Sequence, residues 1–159
     1  MDVKLIKATS DDKEAIKNLM QYYFYDFSEF NDADVLNNGQ FGEYPYLDHY
    51  WKEPARHPYL ITVNDKYAGF VLVRNIEEEG KRYNSIAEFF VLKKYRRSGL
   101  GRTAAFQIFD LFKGEWEVTQ IERNQPARTF WRKAINEYTN GNWKERECDG
   151  KTIQMFSSK

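Results

Sequence analysis

Val91-Leu92-Lys93-Lys94-Tyr95-Arg96-Arg97-Ser98-Gly99-Leu100-Gly101-Arg102 is the stretch on which the reading of this chain turns. An apolar run ends at Leu92, a basic loop containing glycine follows, and a helical pattern opens at Leu100. Helix N-termini present unpaired N–H groups and a partial positive charge, so they receive phosphates. Glycine lets the backbone come close to such a ligand because no Cβ intervenes. Five bases and no acid lie between residues 93 and 102, which suits a multiply charged phosphate group. The bland alternative is a solvated basic loop that merely leads into a helix.

The flanking sequence supplies the strands and helices around this loop. Ser85–Leu92 is a continuous apolar run with one embedded carboxylate, Glu88, and reads as a buried central strand. Downstream, Leu100–Phe112 reads as a helix stopped at Gly114, and Trp116–Ile121 as a strand. Pro126–Tyr138 reads as a helix with proline in its first turn and Asn140-Gly141 closing it. Trp143–Glu147 and Thr152–Phe156 suggest a hairpin around Asp149-Gly150. Upstream, Val3–Ala8 is a strand, and Thr9 or Ser10 caps a helix with Asp11, Asp12 and Glu14 in its first turn. Ala15, Ile16, Leu19, Met20, Tyr23 and Phe24 follow at helical spacing, and this helix is expected to end near Phe27. Residues 28–55 read as a loop with a short helix around Leu47–Trp51. Pro58–Val63 and Tyr67–Arg74 form a hairpin around Asn64-Asp65-Lys66, and Glu77–Arg82 is a polar turn. The whole is one mixed α/β domain over residues 1–159.

Composition narrows the function. The chain has 159 residues, 42% hydrophobic, 30% charged and 17% aromatic, which excludes intrinsic disorder. Net charge is zero, which argues against a general nucleic-acid binder. Residues 1–53 carry eleven acids and five bases, net −6, and the remainder is +6. An accidental gradient is the alternative to a functional one. A single cysteine, Cys148, and two histidines, His49 and His57, leave little for a metal centre, and none is expected. No run of 18 apolar residues and no apolar signal core at the N-terminus is present, so a cytoplasmic protein without membrane partners is expected. Gly99-x-Gly101-x-x-Ala104 fits a dinucleotide fingerprint literally, but Lys93–Ser98 separate it from its strand and too little chain follows.

Arg96-x-x-Gly99-x-Gly101 resembles the Gln/Arg-x-x-Gly-x-Gly/Ala pyrophosphate loop of the GNAT acyl-CoA-dependent N-acetyltransferases. Ile86-Ala87-Glu88-Phe89-Phe90-Val91 is similar to their central fourth strand. Asn124-x-x-Ala127-x-x-x-Trp131 resembles their Asn-x-x-Ala-x-x-x-Tyr segment at the start of the last long helix. The resemblance covers nearly the whole chain and implies a mostly antiparallel central sheet flanked by helices. It implies acetyl-CoA as co-substrate, held at the pyrophosphate by the motif from Arg96 onward through the N–H groups of Arg97, Ser98, Gly99, Leu100, Gly101 and Arg102. Phe89, Phe90 and Val91 would run beside pantetheine like an added strand. Asn124 would reach the same arm, or simply cap its helix.

Glu88 is the candidate base. A carboxylate in an apolar strand is costly unless hydrogen-bonded or functional, and burial raises its pKa toward a useful value. An outward-facing residue or an ion pair to Arg74 is the structural alternative. Trp131 departs from the family: an indole N–H donates a hydrogen bond but cannot protonate a leaving thiolate as a phenol does. Tyr22, Tyr25, Tyr46 and Tyr50 stand in the segments that line the acceptor side in this family; Tyr138 reads as core. The expected reaction is direct acetyl transfer to a primary amine in a ternary complex. The acidic, aromatic N-terminal third suits a small cationic acceptor. A non-catalytic CoA-binding module is the rival reading, and a homodimer is left open.

Overall fold

Strand-forming runs along the chain assemble into one seven-stranded sheet in the computed structural model, which describes residues 1–159. The elements are β1 (Val3–Lys7), α1 (Lys13–Asn31), β2 (Arg56–Val63), β3 (Lys66–Glu78), β4 (Lys81–Val91), α2 (Leu100–Leu111), β5 (Gly114–Ile121), α3 (Gln125–Thr139), β6 (Lys144–Cys148) and β7 (Lys151–Ser158). The sheet order is β1-β2-β3-β4-β5-β7-β6, antiparallel throughout except for the parallel pair β4–β5. A 3-10 turn at Leu47–Trp51 is the only regular structure between α1 and β2, as expected. No helix is long and apolar enough to cross a membrane.

The two faces of the sheet carry separate cores. On one, Ile16, Leu19 and Met20 of α1 pack on Leu60, Phe70, Leu72 and Phe90. On the other, α2 and α3 bring Leu100, Ile108, Phe109 and Trp131 against Val71, Val73, Trp116 and Val118. Each fully buried side chain of this size stabilises the fold by about 1.5–3 kcal/mol.

Two segments differ most from the sequence reading. α1 continues past Phe27 to Asn31, because Phe30 still packs on Phe27, and it stops where Asp32 turns left-handed at φ 60°. The Glu77–Arg82 turn shrinks to Glu79-Gly80, both at positive φ, since Glu77 pairs across the strands with Arg82 and Glu78 with Lys81. Positive φ at both central residues is the two-residue turn whose twist matches a hairpin, and it recurs at Asn64-Asp65 and Asp149-Gly150.

β4 holds the decisive irregularity. Leu72 of β3 faces Glu88, but Val73 faces Ile86, so Ala87 is an extra, bulged residue. Side chains along a strand alternate faces, and one extra residue reverses the phase beyond it. Ile86 therefore points into the α2–α3 core, whereas both Ala87 and Glu88 meet the α1 side. Two residues further on, Gly69 of β3 lets β4 come close: a methyl at Gly69 would overlap the Phe90 carbonyl oxygen.

Candidate active site

β4 and β5 pair only at Asn84–Trp116 and Ser85–Glu117, then diverge. From Ile86 to Val91 the β5-side edge of β4 has no strand partner. A cavity of about 690 Å³ opens here, between the end of β4, the loop before α2, the first turns of α3 and the last turns of α1. Phe89, Phe90 and Val91 form its β4 wall.

The loop arrives with its backbone donors free. Arg97 (φ 62°) and Gly99 (φ 81°) are both left-handed, and Gly99 stands immediately before α2. None of the N–H groups from Arg97 to Arg102 donates to a protein acceptor. Those consecutive donors at a helix start form a cradle for an anion. Of the loop residues singled out from sequence, Arg96, Arg97, Gly99, Gly101 and Arg102 line the cavity. The Phe130 ring lies over Gly101, 3.1 Å from where a Cβ would stand. Leu100 is wholly buried and anchors the helix start, and the Ser98 hydroxyl donates to the Tyr95 carbonyl at 2.6 Å.

The Arg96 side chain has a task of its own. Its guanidinium donates to the Val91 carbonyl at 2.9 Å and to Asp26 of α1 at 2.6 Å, and it covers the Phe90 ring. It thus ties the loop to the end of β4 and to α1 rather than reaching for a phosphate. Arg102 pairs with Glu137 and so ties α2 to α3. Lys133 of α3 adds a further cation at the cavity wall.

Asn124 caps α3, its side-chain oxygen accepting from the Ala127 N–H at 3.2 Å, while it also lines the cavity. Its side-chain amide donors are left for a ligand. Trp131 is buried and meets Phe89 and Phe130 edge to face, at 5.0 and 4.9 Å between ring centres. Tyr138 turns away from the cavity, bonding Asp110 and Ser158.

Glu88 accepts a 2.9 Å hydrogen bond from the Tyr23 hydroxyl and forms no ion pair with Arg74. Burial pushes its carboxyl up from 4.5 to about 7, against the pull of the Tyr23 and Tyr44 hydroxyls, which favour the charged form. Burial, and then the Glu88 charge, hold the Tyr23 phenol well above its ordinary range. Tyr23 therefore keeps its proton and steadies the carboxylate. Tyr23 is the one tyrosine of the cavity wall. Tyr22, Tyr25 and Tyr46 are exposed, and Tyr50 is buried against Arg56.

Sequence reasoning missed the partners of Glu88 and Arg96. Tyr23 reads as one more apolar position of α1, and only the bulge at Ala87 turns Glu88 toward it. Tyr44 lies in a segment without periodicity. Asp26 carried one available signal: with Tyr23 and Phe30 it falls at three- and four-residue helical spacing, on the α1 face that lines the cavity.

An open strand edge beside an anion cradle makes a site for an extended, phosphate-bearing ligand. The sequence profile described as the acetyltransferase (GNAT) family matches residues 16–135, and the chain belongs to that family. An acetyltransferase from Thermus thermophilus shares the fold with a TM-score of 0.73 at 11% identity, over 99% of this chain and 97% of that one. A GNAT acetyltransferase from Streptococcus agalactiae gives 0.69 at 14% identity, over 99% and 95%. The PaiA N-acetyltransferase of Thermoplasma acidophilum, solved in complex with coenzyme A, gives 0.66 at 10% identity, over 99% of both chains. No curated protein sequence matches this chain.

Proposed function

We propose that the protein moves an acetyl group from acetyl-CoA to a primary amine by direct attack within a ternary complex. The observation that carries this reading is Glu88, a carboxyl raised to about 7 within the open stretch of the β4 edge. At neutral pH a substantial share of such a carboxyl is ionised and able to take a proton from an ammonium group. The freed amine nitrogen then attacks the thioester carbonyl carbon, the carbon–sulfur bond breaks, and the thiolate leaves. Solvent protonates that thiolate, since Trp131 holds no suitable proton and the Tyr23 phenol holds its own too tightly.

The residues present fit the donor. The pyrophosphate matches the free N–H groups of Arg97–Arg102, with Lys133 nearby. The β4 edge offers unpaired backbone groups to the pantetheine amides, Asn124 offers its amide, and a β4 N–H near Val91 is available to the thioester oxygen. Holding thioester and amine together supplies much of the rate. No cluster of His, Cys, Asp or Glu suited to a metal occurs.

The acceptor enters from the α1 side, where Glu88 points. Two acids of the N-terminal third line the cavity, Asp26, which Arg96 engages, and Glu29. Trp131 in place of a tyrosine favours a second reading, a CoA-binding module without turnover. Measuring CoA thiol release from acetyl-CoA across a panel of amines separates the two: release with at least one amine supports the enzyme, and CoA binding without any release supports the module.

A further inference from the structure

Leu72 stands opposite Glu88 in the β3–β4 pair, and two residues along β3, on the same face, stands Arg74. Its partner on β2 is Arg56. Strand alternation puts Arg56, Arg74 and Glu88 all on the α1 side of the sheet. Two guanidinium groups directly opposed on neighbouring strands destabilise the pair. The protein answers only one of them. Arg56 has Glu53 at 3.5 Å and lies over the rings of Tyr46 and Tyr50, at 5.7 and 5.4 Å. Arg74 has no ion pair, and it is alone in this among the five half-buried arginines, Arg56, Arg74, Arg96, Arg128 and Arg132. The acid nearest in register is Glu117, on β5 beyond Ser85, and Arg146 engages it at 3.2 Å.

The ground between these arginines and Glu88 is polar and incompletely satisfied. Tyr44 feels both the Glu88 and the Arg56 charges. The buried Tyr50 hydroxyl stands beside Tyr44 and Arg56 without a well-formed hydrogen bond to either. A half-buried cation beside a second cation is retained at a cost in stability unless something binds there.

We propose that the acceptor is an amine that also carries a carboxylate, received by Arg74 with Arg56 behind it, while Glu88 takes the proton of the amine. A guanidinium binds a carboxylate through two parallel hydrogen bonds, which fixes orientation as well as charge. Two strand residues, about 7 Å, separate Arg74 from the position facing Glu88, room for a compact amino-acid-like molecule. This inference rests on the acetyl-transfer reading and reverses the charge expected of the acceptor from composition.

The test compares matched probes in the thiol-release assay: β-alanine against β-alaninamide and 4-aminobutyrate against its amide, at equal free-amine concentration, with putrescine and spermidine as cations. The acids should exceed their amides in kcat/KM by about tenfold or more, as a single charge-assisted bidentate contact provides. Arg74→Gln should bring that ratio toward one. Acetyl-CoA affinity should hold, and Tm should hold or rise, because a like-charge pair is relieved; both report that the variant is folded. Equal or better rates with the amides or polyamines, or an undiminished ratio in Arg74→Gln, would overturn this inference and leave acetyl transfer standing. No release with any amine would overturn the acetyl-transfer reading and this inference with it.

Discussion

Tyr23 and Glu88, 65 positions apart in the chain, meet through a 2.9 Å hydrogen bond from phenol to carboxylate. The bond joins α1 to the bulged part of β4, and so joins the acceptor side to the strand that would carry the thioester. It also sets a balance at Glu88, where burial favours the neutral acid and the phenol favours the anion. That balance makes pH a direct probe of the site.

Glu88→Gln should lower kcat by about 10²–10⁴-fold, the usual worth of a positioned base, while acetyl-CoA affinity stays nearly intact. In the wild type, kcat/KM should rise with pH through about 7, as Glu88 loses its proton, and Glu88→Gln should abolish this limb. Stability changes in the opposite sense. The folded carboxyl holds its proton more tightly than the unfolded one at 4.5, so the contribution of Glu88 is full below that pH and is lost as pH rises through about 7. Glu88→Gln should therefore gain stability relative to wild type above pH 7, measured by urea unfolding at several pH values.

Tyr23→Phe tests the phenol as a positioning residue. Removing its hydroxyl removes a bond that favours the charged carboxylate, so the rising limb of the pH–rate profile should move to higher pH. A merely structural tyrosine would lower the rate at all pH values without moving the limb.

Gly69→Ala should destabilise the fold by about 3 kcal/mol, because β4 must move off β3 to make room at the Phe90 carbonyl. Urea unfolding measures this, and a loss below about 1 kcal/mol would mean that the two strands are not so closely apposed.

Gly99→Ala and Gly80→Ala form a matched pair, at φ 81° and 79°, with open space around both. Each should lose about 1–2 kcal/mol of stability to the left-handed backbone. Only Gly99→Ala should also weaken acetyl-CoA, by about tenfold, since a loop that relaxes misaligns the donors of Arg97–Arg102. Equal affinities by calorimetry would remove the loop from the cofactor site.

The order of elements, the turn at Leu47–Trp51 and the glycine loop before α2 were legible in the sequence, because periodicity and turn chemistry are local. What eluded it depends on contacts distant in the chain. Ser85–Leu92 is apolar on both faces, so no alternation betrays the bulge at Ala87, and the direction of Glu88 hangs on that one residue. Arg96 reads as part of a phosphate loop, yet its guanidinium is committed to Val91 and Asp26. Nor does composition show that several of the eleven acids behind the net −6 of residues 1–53 are paired, among them Asp48 with Lys13, Glu43 with Lys17 and Glu53 with His49 and Arg56. Tyr23 reads only as a core position, because helical spacing does not show that its hydroxyl reaches past that core to β4.

Thiol release from acetyl-CoA, followed together with the mass of the amine product, tests the central claim most directly. The account predicts that one CoA thiol appears for each N-acetylated product, that the rate rises through about pH 7, and that Glu88→Gln loses this rise along with most of the turnover. Wild-type protein that binds acetyl-CoA but yields neither thiol nor acetylated amine with any acceptor in the panel would contradict it.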